Sequence, residues 1–351
     1  MAKKKIFAGG VQIGGGAPVT VQSMTTVHPD DVEATVSQIK RLETGGCDIV
    51  RVAVPDMDAA KAIREIKKRI SIPLVADIHF DYRLAVASVE NGADKIRINP
   101  GNIGGADGVR AICKICTERK IPIRVGVNGG SLGKKILEKY GGVTAEAMCA
   151  AAREQVTLLN GFGFDDICIS VKASDVPLTI AAYRLLSQSV DYPLHLGVTE
   201  AGTEYMGIIK SAVGIGTLLA EGIGDTIRVS LTADPAREVD AGISVLKALG
   251  LRKAGYELIS CPTCGRCRID LIPMAEEVER RLKEQNREIT VAVMGCVVNG
   301  PGEATQADFG IAGGDKEGVI FIKGQVLKKA PSERLVDELF EEIEKHWEGH
   351  V

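Results

Sequence analysis

Four cysteines near the C-terminus are the residues best suited to chemistry in this 351-residue sequence. Cys261, Cys264 and Cys267 follow the pattern Cys-x-x-Cys-x-x-Cys, and Cys296 lies about thirty residues further on. Thiolates at this spacing can share one metal centre, and soft sulfur ligands select zinc, copper(I) or an iron–sulfur cluster. The pattern therefore predicts a metal or redox module in this part of the chain.

The spacing of the cysteines separates several kinds of metal site. Zinc sites often place two Cys-x-x-Cys pairs about 15–20 residues apart. Here 31 residues separate Cys264 from Cys296, and no histidine or second pair lies near Cys296. A radical S-adenosylmethionine motif needs Cys-x-x-x-Cys-x-x-Cys, and a ferredoxin motif needs a further cysteine followed by proline. Neither of these two motifs occurs. Because the zinc pattern is also poorly matched, spacing alone favours an iron–sulfur cluster over zinc and leaves both open.

Cationic side chains recur at similar places in five short apolar runs earlier in the chain. These cations are Arg51, Arg97, Arg124, Lys172 and Arg228. Charged residues are rarely buried without a partner, and guanidinium groups match the geometry of phosphate. Together they predict a site for a polyanion such as a diphosphate. The alternative is a structural network balanced by carboxylates, but few carboxylates lie in the same runs.

The elements that carry these cations repeat through the first 250 residues. Short β-branched runs alternate with stretches of helical period, and the runs cover residues 19–24, 48–54, 73–78, 94–100, 122–128, 166–172, 193–199 and 225–231. Such alternation predicts βαβ units and a parallel sheet. Eight units in about 250 residues agree with a (β/α)₈ TIM barrel, whereas the alternative, a doubly wound open sheet, usually has fewer strands. The active site of such a barrel lies at the C-terminal ends of its strands.

The pattern changes after residue 250. Residues 257–259, 290–294 and 318–322 read as strands, and residues 271–285 and 332–348 read as amphipathic helices. We therefore expect two domains, a substrate-binding TIM barrel over residues 1–250 and a small α+β cluster module over residues 251–351. The cysteines follow the first two strands of this module.

Composition excludes several classes of protein. The net charge of −3 gives no electrostatic footprint for nucleic acid, and no run of 18 apolar residues predicts a membrane span. The nine cysteines form no small-domain disulfide pattern, so we expect a reducing, cytoplasmic setting.

The motifs together resemble one enzyme family. The segments Cys-Pro-Thr-Cys-Gly-Arg from Cys261 and Gly-Cys-Val-Val-Asn-Gly-Pro-Gly-Glu-Ala from Gly295 are similar to those of the 4-hydroxy-3-methylbut-2-enyl diphosphate synthases of the non-mevalonate isoprenoid pathway. Val-Gln-Ser-Met-Thr from Val21 and Ala-Asp-Ile-His-Phe from Ala76 belong to the same pattern. The resemblance covers nearly the whole chain and is to the shorter bacterial form.

The resemblance implies a reaction and a cofactor. The reaction is the reductive ring opening of 2-C-methyl-D-erythritol 2,4-cyclodiphosphate to (E)-4-hydroxy-3-methylbut-2-enyl diphosphate, with flavodoxin or ferredoxin as the electron donor. One [4Fe–4S] cluster per chain would be held by Cys261, Cys264, Cys296 and Glu303, with Cys267 a bystander. A homodimer in which the cluster module of one chain caps the barrel of the other is also implied.

The same resemblance, combined with the polar strand ends, gives a set of expected site residues. The expected phosphate clamp and its hydrogen-bond partners are Arg51, Arg97, Arg124, Lys172, Ser230, Asn99 and Asn128. Glu200 is expected to donate or relay a proton, and Asn299 is expected to face the substrate from the cluster side. His79 and His195 are expected to orient other groups. Two other functions remain open from the residues alone, a redox-sensing iron–sulfur protein that binds a phosphorylated ligand and a zinc-stapled barrel lyase.

Overall fold

The computed structural model describes residues 4–253, 255–285, 287–296, 302 and 304–346. The chain divides into two compact units, Met1–Arg252 and Lys253–Val351. Among the described residues, no helix has the length and apolar character needed to cross a membrane.

The first unit contains the predicted TIM barrel. Its eight parallel strands are β3 (Thr20–Met24), β4 (Ile49–Val54), β5 (Leu74–Ile78), β6 (Lys95–Ile98), β7 (Ile123–Asn128), β8 (Ile167–Lys172), β9 (His195–Leu196) and β10 (Thr226–Ile227); they follow a hairpin of β1 (Lys5–Ala8) and β2 (Val11–Gly14). The strand order is β8-β7-β6-β5-β4-β3-β10-β9. A parallel bridge between Ile169 and Leu194 joins the two ends of this order and closes the barrel. Each barrel strand lies within its predicted run.

Nine described helices surround the barrel strands. They are α1 (Val32–Thr44), α2 (Met57–Lys67), α3 (Tyr82–Glu90), α4 (Gly105–Arg119), α5 (Lys134–Tyr140), α6 (Ala145–Gly161), α7 (Val176–Ser189), α8 (Glu204–Ala220) and α9 (Pro235–Ala248). Five begin at an aspartate whose carboxylate accepts a hydrogen bond from a first-turn amide, namely Asp31, Asp56, Asp81, Asp175 and Asp234. These caps satisfy otherwise unpaired amides and so define where each loop from a strand end stops.

The main core lies between the strands and the helices, not inside the barrel. Side chains alternate along a strand, so Val50 and Val52 of β4 point outward and pack among helix residues such as Ile39 and Ile63. Arg51, between them, points inward. This alternation explains how a strand can carry an apolar outer face and a charged inner one.

The hairpin β1–β2 closes the N-terminal end of the barrel. Ile6, Ala8 and Ile13 of the hairpin pack against Ile49 and Val75, the inward residues at the start of β4 and β5. The sequence analysis did not predict this hairpin. It leaves the opposite, C-terminal end of the barrel as the open one.

The second unit is a five-stranded mixed sheet with two described helices. Its elements are β11 (Tyr256–Ser260), α10 (Leu271–Gln285), β12 (Ile289–Met294), β13 (Phe309–Ala312), β14 (Glu317–Ile322), β15 (Gln325–Pro331) and α11 (Leu335–His346). The strands lie in chain order, with β11, β12 and β13 parallel and the remaining pairs antiparallel. Leucines of α10 and α11 pack on the sheet around Val291 and Ile311. The predicted α+β architecture is confirmed, although β13 and β15 were not predicted.

Candidate active site

Five cations converge on one cavity at the C-terminal end of the barrel. The cavity has a volume of about 240 Å³ and is lined by Arg51, Asp77, His79, Arg97, Arg124, Asn128, Ser170, Lys172, Thr199, Arg228 and Ser230. Strand pairing produces this convergence, because Asp77 lies opposite Arg97, Arg97 opposite Arg124, and Asn128 opposite Lys172. Backbone hydrogen bonds therefore hold like charges side by side before any ligand binds.

Asp77 is the carboxylate that partly balances these cations. Its oxygens lie 3.2 Å from Arg97 Nη1, 3.7 Å from Arg51 Nε and 3.4 Å from His79 Nε2. Burial opposes ionisation of Asp77, but the charges of Arg51 and Arg97 and the hydrogen bond from His79 outweigh it, so its pKa lies well below the usual value. Asp77 thus stays ionised and orients two of the five cations.

A second carboxylate, Glu238, reaches the barrel interior from helix α9. Its side chain is 4% exposed and lies 3.4 Å from Arg228, and it also accepts hydrogen bonds from Ser23 Oγ at 3.1 Å and from Leu231 N at 3.0 Å. The sequence analysis missed Glu238, because an acidic residue in a helix is usually on the solvent side. Its neighbours Pro235 and Val239 are buried as well, but this burial is visible only in the folded structure.

Arg124 and Lys172 have no carboxylate within 4 Å among the described side chains. Arg124 is 1% exposed and Lys172 is 7% exposed. Burial lowers the pKa of Arg124 to about 10, and the neighbouring charge of Arg97 acts in the same direction. Burial and then the charge of Arg124 lower the pKa of Lys172. The cavity is therefore short of negative charge, as a binding site for a doubly phosphorylated ligand should be.

Two glycines make room for these cations in the barrel wall. A Cβ atom on Gly126 would lie 2.5 Å from Arg97 Nε, and a Cβ atom on Gly197 would lie 2.5 Å from Lys172 Nζ. Both positions lie on inward faces next to the strand that carries the cation. Any larger residue would displace the charged group, so Gly126 and Gly197 belong to the site although they offer no polar atom.

Asn99 and Glu200 lie beside the main cavity and do not line it. The Oδ1 atom of Asn99 accepts a hydrogen bond from Gly101 N at 3.1 Å, and Asn99 lines a neighbouring cavity of about 300 Å³. Glu200 is exposed, has a positive φ of 53° and lines another cavity of about 410 Å³. Asn128 and Thr199 line both this cavity and the central one, so Glu200 lies at the rim of the cationic site.

The two histidines of interest differ in position. His79 lines the central cavity with 55% of its side chain exposed. His195 is fully buried, and its Nδ1 atom lies 3.4 Å from Thr226 Oγ1. Burial and then the charge of Arg124 lower its pKa well below the usual value, so its imidazole is neutral.

The cysteines of the second unit follow neighbouring strands. Ser260, the last residue of β11, pairs with Val293 of β12, so Cys261 and Cys296 emerge at the same edge of the sheet. The Gly295 amide donates to Cys261 Sγ at 3.2 Å, as amides commonly do to cluster sulfurs. Cys267 instead donates to Ile269 O at 3.2 Å. All of these cysteines are free thiols, and each is partly or fully exposed.

The residues present fit a metal centre in donor type. Cys261 and Cys296 emerge at one sheet edge, where the Gly295 amide already donates to Cys261 Sγ, and all four cysteines of this unit are free thiols. The described side chains alone do not form a group of three His, Cys, Asp or Glu residues close enough to hold a metal ion. Glu303, the expected fourth ligand, and Asn299 lie outside the described residues.

Comparison with known proteins decides the family. The family profile of the GcpE TIM-barrel domain matches residues 3–243, and that of the GcpE protein C-terminal domain matches residues 257–345. The chain belongs to the GcpE family. The resemblance seen in the sequence is thereby confirmed, and the two GcpE profiles divide the chain between its two compact units.

Curated relatives and solved structures agree with the GcpE assignment. The chain is 63% identical over 342 residues to the 4-hydroxy-3-methylbut-2-en-1-yl diphosphate synthase (flavodoxin) of Caldanaerobacter subterraneus subsp. tengcongensis, covering 97% of this chain and 96% of that protein. It is 60% identical to the protein of the same name from Ruminiclostridium cellulolyticum, with the same coverage. A dihydropteroate synthase from Stenotrophomonas maltophilia superimposes on 70% of this chain and 98% of its own, with a TM-score of 0.52 and 15% identity, which supports the barrel fold alone.

Proposed function

We propose that this chain catalyses the reductive ring opening of 2-C-methyl-D-erythritol 2,4-cyclodiphosphate to (E)-4-hydroxy-3-methylbut-2-enyl diphosphate and water. The observation that carries the proposal is the central cavity, where cations from five strands face a space without enough carboxylates to balance them. Relatives at 63% and 60% identity bear the name of this synthase. The chain is thus an iron–sulfur oxidoreductase of isoprenoid precursor biosynthesis.

The reaction consumes two electrons and one proton. The bond between carbon 2 of the substrate and its phosphate oxygen breaks, and the oxygen stays on phosphorus to complete the open diphosphate. The hydroxyl on carbon 3 leaves with the proton as water. The two electrons form the double bond between these carbons. The protein must therefore bind the diphosphate, deliver a proton to the departing hydroxyl and exclude bulk water.

Arg51, Arg97, Arg124 and Lys172 are the groups that we assign to the two phosphates. Charge-assisted hydrogen bonds from guanidinium to phosphate are strong and directional, and the four groups already face one space. The charge that develops on the freed phosphate oxygen is stabilised by the same cations, which need no rearrangement. Binding and ring opening thus draw on one set of residues.

The neutral polar groups complete the substrate site. Ser230 and Asn128 line the cavity and are assigned hydrogen bonds to substrate oxygens. His79, whose ring is hydrogen-bonded to the buried Asp77, orients the ligand. The oxygen of Asn99 is occupied by Gly101, so we assign its amide nitrogen as the donor to the substrate.

Glu200 is the group that we assign to proton delivery. It is exposed at the rim, next to Asn128 and Thr199, and can exchange protons with solvent. Its positive φ, a conformation that costs a non-glycine residue about 1–3 kcal/mol, is a feature that clusters at functional sites. His195 is buried and neutral and lies outside the cavity lining, so its role is structural support beneath the cations.

We further propose that one [4Fe–4S] cluster per chain is held by Cys261, Cys264, Cys296 and Glu303. When bound, such a cluster supplies electrons one at a time. Cys267 is assigned no ligand role, since its thiol donates to Ile269 O. Asn299 is assigned to the substrate side of the cluster.

Flavodoxin is the electron donor that the relatives' names support, and ferredoxin is the alternative that we include. We propose a cytoplasmic location, because all nine cysteines are free thiols and would remain so in a reducing compartment. We propose a homodimer in which the cluster of one chain faces the barrel of the other. Helix α9 ends the barrel at its N-terminal side, whereas the cavity lies at the C-terminal side.

Anaerobically purified protein tests the proposed function directly. It should contain iron and inorganic sulfide and convert the cyclodiphosphate when reduced flavodoxin or a reduced viologen is supplied, with product followed by mass spectrometry. Zinc without iron, together with no turnover, would support the zinc-stapled lyase instead. A fully loaded protein that binds the cyclodiphosphate but does not convert it would indicate a sensor.

A further inference from the structure

Beneath the central cavity, the barrel interior holds a second group of buried polar side chains. Its members are Thr20, Gln22, Lys95, Arg124 and His195, which are between 0% and 7% exposed. Of these, only Arg124 lines the central cavity. Lys95 precedes Arg97 by two residues on β6, so it shares the inward face and starts about 7 Å nearer the N-terminal end. We call this group the deep layer.

The deep layer contains polar atoms that the described residues leave without hydrogen-bond partners. These atoms are Lys95 Nζ, Arg124 Nε and Nη1, Gln22 Nε2 and Oε1, His195 Nε2 and Thr20 Oγ1. Buried polar groups are normally hydrogen-bonded, because an unpaired one loses its contacts with water and gains none in return. So many unpaired atoms in one place indicate that something else occupies the space between them.

These side chains come from neighbouring barrel strands. Strand pairing places Thr20 beside Thr226 and Thr226 beside His195. Lys95 and Arg124 each lie close enough to His195 to act on it electrostatically, and they act on each other. The deep layer thus lies in the barrel interior between the hairpin β1–β2 and the cationic cavity.

The unpaired atoms are mostly hydrogen-bond donors. Lys95 Nζ, both Arg124 nitrogens and Gln22 Nε2 can only donate, and Gln22 Oε1 is the one atom of this set that can only accept. Water molecules in the deep layer would add further hydrogen-bond donors, and these would find few acceptors. An anion accepts from every side and matches the donor excess.

The charge of Lys95 requires a counter-charge that the described residues do not supply. No carboxylate lies within 4 Å of it in the described part of the chain, and burial raises the pKa of the neighbouring Cys168 thiol, which therefore stays neutral. Burial lowers the pKa of Lys95 to about 8, and a bound anion would favour its charged form. A diphosphate in the central cavity does not reach Lys95, because Lys95 does not line that cavity.

We propose that the deep layer binds a small monovalent inorganic anion of the size and chemistry of chloride, held by Lys95 and Arg124. This site lies beneath the substrate site and shares Arg124 with it, but it does not depend on the identity of the substrate. The anion neutralises the buried charge beneath the cavity. The other cations that line the central cavity, at the mouth of the barrel, then remain available to bind the diphosphate.

Bromide provides a direct test of position. Crystals of the cluster-containing enzyme, grown with inorganic pyrophosphate to fill the mouth, are soaked in sodium bromide, and anomalous differences are measured at the bromine edge. We expect a peak in hydrogen-bonding contact with Lys95 Nζ and Arg124. Peaks confined to the mouth or the surface, with water density in the deep layer, would overturn the proposal.

A second test measures the site in solution. Thermal unfolding is followed at constant ionic strength in sodium chloride or sodium gluconate, whose anion is too large to enter, with pyrophosphate saturating the mouth. Chloride should raise the unfolding midpoint of the wild type by about 2 °C or more. Lys114→Met, which removes an exposed charge from α4, should keep this response.

Lys95→Met should lose the chloride response and unfold at a higher temperature than the wild type in gluconate, because the unpaired buried charge is gone. A full chloride response in Lys95→Met, or none in the wild type, would contradict the proposal. If Lys95→Met does not fold, the bromide map of the wild type still decides the question.

Discussion

Arg252 Nη1 lies 2.8 Å from Asp48 Oδ2, and this ion pair fixes the last residue of the barrel unit beside the start of β4. A second Arg252 nitrogen donates to Gly46 O at 3.1 Å. Both contacts lie at the N-terminal end of the barrel, whereas the cationic cavity opens at the C-terminal ends of the strands. The chain therefore leaves the barrel at the end that lacks the cations, which is the physical basis for proposing that a second copy supplies the cluster.

Mixing two inactive variants tests this exchange of clusters between copies. Glu303→Ala should impair the cluster, and Arg124→Ala should impair the barrel. A heterodimer would contain one intact barrel facing one intact cluster, so the mixture should recover at most about half the activity of a wild-type dimer. The assay is turnover of the cyclodiphosphate after subunit exchange has been proven by mass spectrometry. No recovery despite exchange would mean that each chain uses its own cluster.

The cationic clamp predicts a loss of binding without a loss of fold. Arg97→Ala should weaken substrate binding by about 1.5–3 kcal/mol, the scale of a hydrogen bond to a charged group. Its midpoint of unfolding should stay near that of the wild type, because the substitution also relieves repulsion from Arg124. Calorimetric titration and thermal unfolding measure the two quantities, and Arg83→Ala on the exposed face of α3 is the matched control. A collapsed midpoint with unchanged affinity would show that Arg97 is structural.

The glycine contacts predict an effect from a single methyl group. Gly126→Ala and Gly197→Ala should each push the neighbouring cation out of place and raise KM about tenfold or more, since this corresponds to roughly 1.4 kcal/mol of lost binding. Gly216→Ala is the control, because the nearest atom to its added Cβ lies at 4.0 Å. Steady-state kinetics of the three variants decide the matter. Equal KM values in all three would remove Gly126 and Gly197 from the site.

The cysteine assignments predict a visible phenotype. Cys261→Ser, Cys264→Ser and Cys296→Ser should each abolish the brown chromophore, because each removes a proposed thiolate ligand. Cys267→Ser should retain it, since the Cys267 thiol is directed to Ile269 O. Absorbance and iron content of anaerobically purified protein are the measurements. Loss of the cluster in Cys267→Ser with retention in Cys296→Ser would reverse the assignment.

The ion pairs of Asp77 predict a defined pH dependence. Asp77→Asn should lower the free energy of unfolding by about 3 kcal/mol at pH 7, because two buried cations lose their shared partner. The pKa of Asp77 is lowered in the folded protein, so its stabilisation is present above the unfolded pKa of about 3.9 and is lost as the pH falls below it. The difference between wild type and variant in urea unfolding should therefore be constant from about pH 5.5 to 8 and smaller near pH 3.5. A difference that grows on acidification would contradict this account.

The barrel was predictable because each strand shows the same local signal, a β-branched run followed by helical period. The hairpin β1–β2 was missed because each of its strands has only four residues and Gly9, Gly10, Gly14, Gly15 and Gly16 interrupt the apolar pattern. Strand β15 was missed for a different reason. Residues 325–331 are mostly exposed, carry two lysines and form a sheet edge, so no apolar alternation marks them.

The cations of the candidate site could be predicted from their repetition, but their partners could not. Asp77 was visible at a strand end, yet its contacts with Arg51 and Arg97 depend on the register of three neighbouring strands. Glu238 comes from a helix and Gly197 carries no chemistry of its own, so neither gives a signal in the sequence. Distances between elements that are far apart in the chain decide such roles, and only the folded structure supplies them.

The hairpin at the N-terminal end of the barrel determines how substrate can enter and how product can leave. Ile6, Ala8 and Ile13 block that end, so among the residues that the structure describes the central cavity opens at the C-terminal ends of the strands. Substrate must enter through this opening, and both product and water must leave through it. An electron-delivering cluster has to approach the same opening. In the proposed dimer the partner's cluster module would cover this opening, so each turnover would require it to move away and return. The maximal rate of such a dimer would be tied to a motion of the assembly, even if the chemistry itself is fast.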